Sequence, residues 1–108
     1  MSSTPHATYS EALAIPEGGI ASKPLLEIKE GTKLVLFALD QGQEISAHKS
    51  PFPAAILLLE GSIEVLVGET WSRLEAHEQI ALPMGLPHGI RALEPSHFLL
   101  TMLRGVKA

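Results

Sequence analysis

From residue 33 onward the chain is cut into apolar runs of four to seven residues, separated by glycine, proline and acidic turn-formers. No stretch repeats its apolar residues with the 3.6-residue period of a helix. Such runs favour strands. Residues 33–39 are rich in Val, Leu and Phe, and Asp40-Gln41-Gly42 turns the chain into a short strand over 44–48, ending near Pro51 and Pro53. Residues 54–59 are continuously apolar and bounded by proline and glycine, which marks a buried strand. Glu60-Gly61-Ser62 returns the chain through 63–67 as a hairpin partner. Gly68-Glu69 turns it again into 70–74, and residues 75–78 turn it into 79–82, closed by Pro83. After a turn at Gly85 come 88–93, then Glu94-Pro95-Ser96 and a last strand over 98–103. Short strands at this near-regular spacing predict an all-β sandwich or barrel without a helix of two turns.

At 108 residues the chain has room for one core and therefore one domain. Its 45% hydrophobic and 19% charged content fits a globular protein. Residues 1–10 are small and polar and are expected to fray. Residues 11–30 scatter Leu13, Ile15, Ile20, Leu25, Leu26 and Ile28 among Pro16, Gly18, Gly19 and Pro24, which reads as an extended arm with one or two short strands and no helix. The expected organisation is an arm over 1–30 and a barrel domain over 31–108. The longest apolar run is far too short to cross a bilayer, so no membrane partner is expected. The N-terminus has no basic region followed by an apolar stretch, and a cytoplasmic protein is expected. With no cysteine there are neither disulfides nor thiolate ligands. A net charge of −4 with scattered basic residues excludes a phosphate-tracking surface, so this chain alone is not expected to bind nucleic acid.

Two histidines stand in framed stretches: Gly42-x5-His48 running on to Glu60-Gly61, and Pro83-x-Gly85-x2-His88. Imidazole is the commonest protein metal ligand, and two imidazoles on different strands can meet inside a small barrel. The two stretches resemble the paired motifs of the cupins. Gly42, His48 and Gly61 match the first motif, and Pro83, Gly85 and His88 the second. Ser50 stands at the second histidine position and Ala54 at the glutamate position, with His77 at the first glycine of the second motif and Ala92 at its asparagine. The resemblance implies a double-stranded β-helix, or jelly-roll, barrel. It also implies a homodimer, because cupins commonly dimerise through sheet edges and exchanged terminal strands.

Intact cupins hold a divalent metal through three histidines and a glutamate. Here His48 and His88 are the metal candidates, for Zn, Ni, Fe or Mn. A third donor is sought among Met102, Glu44, His77 and His97, with His77 disfavoured because it falls in a turn at the rim. The alternative is a metal-free pair that hydrogen-bonds a ligand or water.

Ala54, Ile56 and Leu58 alternate on one strand and share a face. That face either fills the core or lines an apolar pocket whose few polar groups are the histidines. Ser50, Phe52 at the cavity mouth, and Met102 complete the ligand-binding candidates. Trp71 is expected to face solvent or a partner copy, and Arg91 to make a surface salt bridge. The preferred function is binding of a small molecule in the barrel, with a divalent metal as an option. The alternatives are a metal-dependent oxygenase, isomerase or lyase, and a degenerate barrel kept for protein interaction.

Overall fold

The computed structural model describes residues 8–105. A single helical turn, α1 (Tyr9–Ala12), precedes β1 (Ile20–Glu27), β2 (Thr32–Leu39), β3 (Glu44–Lys49), β4 (Ala54–Glu60), β5 (Ser62–Val67), β6 (Thr70–Glu75), β7 (Gln79–Leu82), β8 (Pro87–Ala92) and β9 (Ser96–Leu103). The strands form two antiparallel sheets, one ordered β1-β2-β9-β4-β7 and the other β3-β8-β5-β6. The expected jelly-roll architecture is the observed one, and the strand limits differ from the sequence reading by a residue or two.

Alternation explains why the sheets face each other. Ala54, Ile56 and Leu58 of β4 are buried, as are Ile63 and Val65 of β5 and Ile90 and Ala92 of β8. With Leu39, Leu74, Leu82 and Phe98 they make one core between the sheets. Each fully buried Leu, Ile or Phe adds about 1.5–3 kcal/mol relative to exposure. Phe37 of β2 lies directly opposite Phe98 of β9, and their rings stack with centroids 4.8 Å apart. The turn from β4 to β5 is tied down by a buried serine: Ser62 N–H donates to Ser96 Oγ at 3.1 Å, and Ser96 Oγ donates to the Glu94 carbonyl at 2.7 Å. Gly61 passes against this serine with φ of 91°, where any Cβ would overlap the Ser96 hydroxyl and the Pro95 carbonyl.

The N-terminal region departs from the sequence reading. Residues 9–12 form a helical turn instead of frayed or extended chain. The cause is local: Thr8 Oγ accepts the Glu11 N–H at 3.2 Å, while the Glu11 carboxylate accepts the Thr8 N–H at 3.3 Å, a reciprocal capping box. Past this turn the segment is anchored to the barrel. Its Leu13 carbonyl lies 2.7 Å from His97 Nε2, and Gly18 N–H donates to the Asp40 carboxylate at 2.6 Å. That bond and a second from the Gln41 N–H hold the Asp40 carboxyl below the usual carboxylate range. β1 is one eight-residue strand laid along β2, where the sequence reading expected one or two short ones. Its register slips between Pro24 and Leu26. At the other end, Arg104 closes the β1–β2 turn by donating to the Ile28 and Gly31 carbonyls and pairing with Glu27 at 3.1 Å. No helix among the described residues is long and apolar enough to cross a membrane.

Candidate functional site

The two histidines meet because one strand carries an extra residue. Glu44 and Ile45 of β3 pair with Arg91 and Ile90 of β8, but His48 pairs with His88, so two residues of β3 oppose one of β8 between these points. This is a β-bulge. Regular alternation from Ile45 would place residues 45, 47 and 49 on the inner face and turn His48 outward. The additional residue resets the count, and Ile45 and His48 both line the interior. Gly89 makes room for it: a Cβ there would stand 3.2 Å from both the Ala47 amide nitrogen and the Ile45 carbonyl oxygen. On β8, His88, Ile90 and Ala92 follow ordinary alternation inward.

The result is a cavity of about 230 Å³ between the sheets. The five-stranded sheet contributes Phe37, Phe98, Leu100, Met102, Ile56 and Leu82, and the other sheet Ile45, His48, His88 and Ile90. Eight of the ten are apolar, so the imidazoles are the only side chains there with strong hydrogen-bonding groups. Their rings meet edge to face with centroids 4.6 Å apart. His48 is exposed at the sheet edge, and its Nδ1 donates to the Ser46 carbonyl at 3.1 Å. His88 is 8% exposed, and its Nε2 is buried with no hydrogen-bond partner among the described residues. Burial first, and then the neighbouring His48, hold the His88 imidazole below the usual histidine range. A buried nitrogen left unbonded carries a desolvation cost of about 1–3 kcal/mol, which a bound group would relieve.

Among the residues proposed from sequence, His48, His88, Ile56 and Met102 line the cavity. Leu58 is fully buried in the core beneath it, and Ala54 is buried at the edge of the same cluster. Ser50 and Phe52 lie outside the lining. The Ser50 hydroxyl is engaged locally, donating to the Phe52 carbonyl at 2.9 Å and accepting the Phe52 N–H at 3.3 Å. Phe37, Ile45, Leu82, Ile90, Phe98 and Leu100 were not singled out from sequence as lining. The signal for three of them was present: Phe98 and Leu100 alternate with Met102 on one strand, as Ile90 does with His88.

The donors present do not fit a catalytic divalent-metal centre. No group of three or more His, Asp or Glu side chains that could hold a metal occurs among the described residues. A catalytic zinc ordinarily takes three protein ligands plus water. Of the proposed third donors, only the Met102 thioether lines the cavity. His97 is 2% exposed, with Nδ1 3.3 Å from the Glu60 carboxylate and Nε2 against Leu13. Glu44 pairs with Arg91 in the β3–β8 register. His77 sits exposed in the β6–β7 turn with φ of 73°. Arg91 itself lies 3.7 Å from Glu64 and covers the Trp71 ring at 3.6 Å.

No protein-family model matches the chain, and no curated protein matches it. Solved structures do. A conserved protein of unknown function from Streptococcus pyogenes is similar at 26% identity and a TM-score of 0.88, over 100% of this chain and 93% of that one. An RmlC-like cupin protein from Desulfovibrio desulfuricans is 25% identical with a TM-score of 0.77, over 95% of this chain and 96% of its own. A cupin superfamily protein from Desulfitobacterium hafniense is 17% identical with a TM-score of 0.83, over 88% of this chain and 86% of its own.

Proposed function

The chain belongs to the cupin superfamily, and from that premise we propose that it binds a small, largely apolar molecule in its barrel, against His48 and His88. One observation carries the reading: a 230 Å³ apolar cavity whose wall holds a buried imidazole nitrogen without a partner among the described residues. Binding pockets combine apolar lining with a few polar groups in this way. An engineered apolar cavity of about 150 Å³ takes up benzene, so a space of this size suits a molecule somewhat larger.

Thermal melting against a panel of small apolar compounds tests the proposal. A ligand at a hundred times its dissociation constant adds about 2.7 kcal/mol to stability, a rise of roughly 10 °C in a chain of this length. Met102→Trp, which fills the cavity, is expected to abolish the shift while leaving the unliganded protein folded. A panel that moves neither protein, or both equally, overturns the proposal.

A metal-dependent oxygenase, isomerase or lyase needs a third donor, and the convergence of the two imidazoles is what keeps that reading second. Elemental analysis of untagged protein after exposure to Zn, Ni, Fe and Mn separates the two. Stoichiometric metal that His48→Ala releases would favour the enzyme.

A further inference from the structure

Away from the barrel cavity the structure buries another histidine. His97 and Phe98 are neighbours on β9 and face opposite ways, so Phe98 lines the cavity while His97 stands on the outer side of the five-stranded sheet. Two groups close over its ring. A bulge in β4 between Leu58 and Glu60 sets Glu60 opposite His97, where regular pairing would set Leu59. The segment over residues 8–19 supplies the rest: the Leu13 carbonyl at Nε2, and the Tyr9 ring with its centroid 5.0 Å from that of the imidazole. The segment has further ties to the barrel. Gly18 N–H donates to the Asp40 carboxylate, Asp40 N–H donates to the Gly19 carbonyl at 3.0 Å, and Lys23 Nζ of β1 donates to the Ala12 carbonyl at 3.4 Å. Among the described residues, Glu60 of β4 and Tyr9 of α1 are the titratable groups that meet His97.

Both nitrogens of His97 face oxygen: Nε2 lies 2.7 Å from the Leu13 carbonyl, and Nδ1 lies 3.3 Å from the Glu60 carboxylate. A carbonyl only accepts, so Nε2 carries hydrogen. A neutral ring then has none on Nδ1, and an ionised Glu60 has none to give. Bonding at both nitrogens takes one proton more than a neutral imidazole and a carboxylate hold between them, whether it sits on Nδ1 or on Glu60. With the segment lifted away, water meets Nε2 and donates or accepts as the ring requires. Docking therefore favours the protonated pair, and by linkage the docked fraction falls as pH rises. We propose that residues 8–19 are a proton-dependent strap, docked on the outer face of the sheet while the His97–Glu60 pair holds its extra proton and loosened when that proton is lost. The other titratable ties do not reverse this sense near neutrality. The Gly18 bond needs an ionised Asp40, whose carboxyl already lies below the usual carboxylate range because the Gly18 and Gln41 N–H groups donate to it, so that tie fails only in acid. Burial, and then the charge and hydrogen bond of Glu60, hold the Tyr9 hydroxyl above the usual tyrosine range, so it keeps its proton in mild alkali.

Methyl 13C NMR of Ala12, Leu13 and Ile15 in the full chain, from pH 6 to pH 9.5, tests this. The undocked share of the strap is expected to rise at least tenfold over that span. Glu60→Gln gives Nδ1 a permanent amide donor in place of the shared proton, so its strap is expected to stay docked with no pH dependence. His97→Gln keeps a donor for the Leu13 carbonyl and is expected to flatten the profile as well. The Glu60 side chain is 39% exposed, so Glu60→Gln decides the matter even if His97→Gln does not fold. His88→Phe, in the cavity, is expected to leave the profile unchanged. A wild-type strap equally docked at both ends of the span overturns the proposal, as does loosening that runs in parallel in Glu60→Gln. A profile that His88→Phe flattens assigns the proton to the cavity and overturns it too.

Discussion

His88 is the residue at which folding and binding make opposite demands. Folding places the ring in an apolar wall, and binding needs one of its nitrogens unbonded. The first demand makes stability depend on pH with a definite sign. Burial and His48 lower the folded-state pKa below the ordinary 6.5, so as pH falls through about that value the unfolded chain takes up the proton first. The contribution is complete above the ordinary value. It is lost between there and the lowered folded value, and is constant below. Urea denaturation at pH 8 and at pH 5 should therefore show the wild type losing more stability than His88→Phe on acidification. Equal losses would remove His88 from the pH dependence. Imidazole chemistry at this position was legible in the sequence, from the Pro83, Gly85 and His88 spacing. Its unpartnered Nε2 was not, because that depends on every side chain packed around it.

Among the elements, β3 and β8 decide whether there is a site at all. The strands themselves were readable from apolar runs and turn residues, because each run is short and clearly bounded. The inward direction of His48 was not. Strict alternation from Ile45 gives the wrong face, and only the resemblance in motif spacing put the two histidines together. A physical signal did exist in Gly89, since a lone glycine inside a strand marks a bulge or a close backbone approach. The helical turn at Tyr9–Ala12 escaped for a different reason: it is too short to show a period, and only the Thr8 and Glu11 pair announces it. If the bulge depends on Gly89, then Gly89→Ala should push β3 off β8 at Ala47. Hydrogen exchange should then show lost protection along β3 with the core intact, and ligand affinity should fall at least tenfold. Deleting Ala47 in the same chain removes the extra residue, keeps His48 facing inward, and should restore both. Full protection of β3 in the single variant would detach the bulge from Gly89.

For the molecule as a whole, the apolar surface is unevenly distributed. Leu25, Leu26, Ile28 and Leu103 are 40–55% exposed and gather where β1 ends and β9 finishes. A homodimer, which the resemblance leads one to expect, would cover them there. Light scattering should give twice the 11.6 kDa chain mass, and Leu26→Glu combined with Ile28→Lys should halve it. A wild-type monomer would overturn this. The slip in register at Pro24 has its own consequence for such contacts. A regular outer strand is a template on which further chains can stack without limit, the route by which sheets grow into fibres. Pro24 offers no N–H to an incoming strand, and the kink beside it takes the backbone out of line. Side chains on that margin stay free for contact, while the backbone offered to a growing fibre is broken at Pro24.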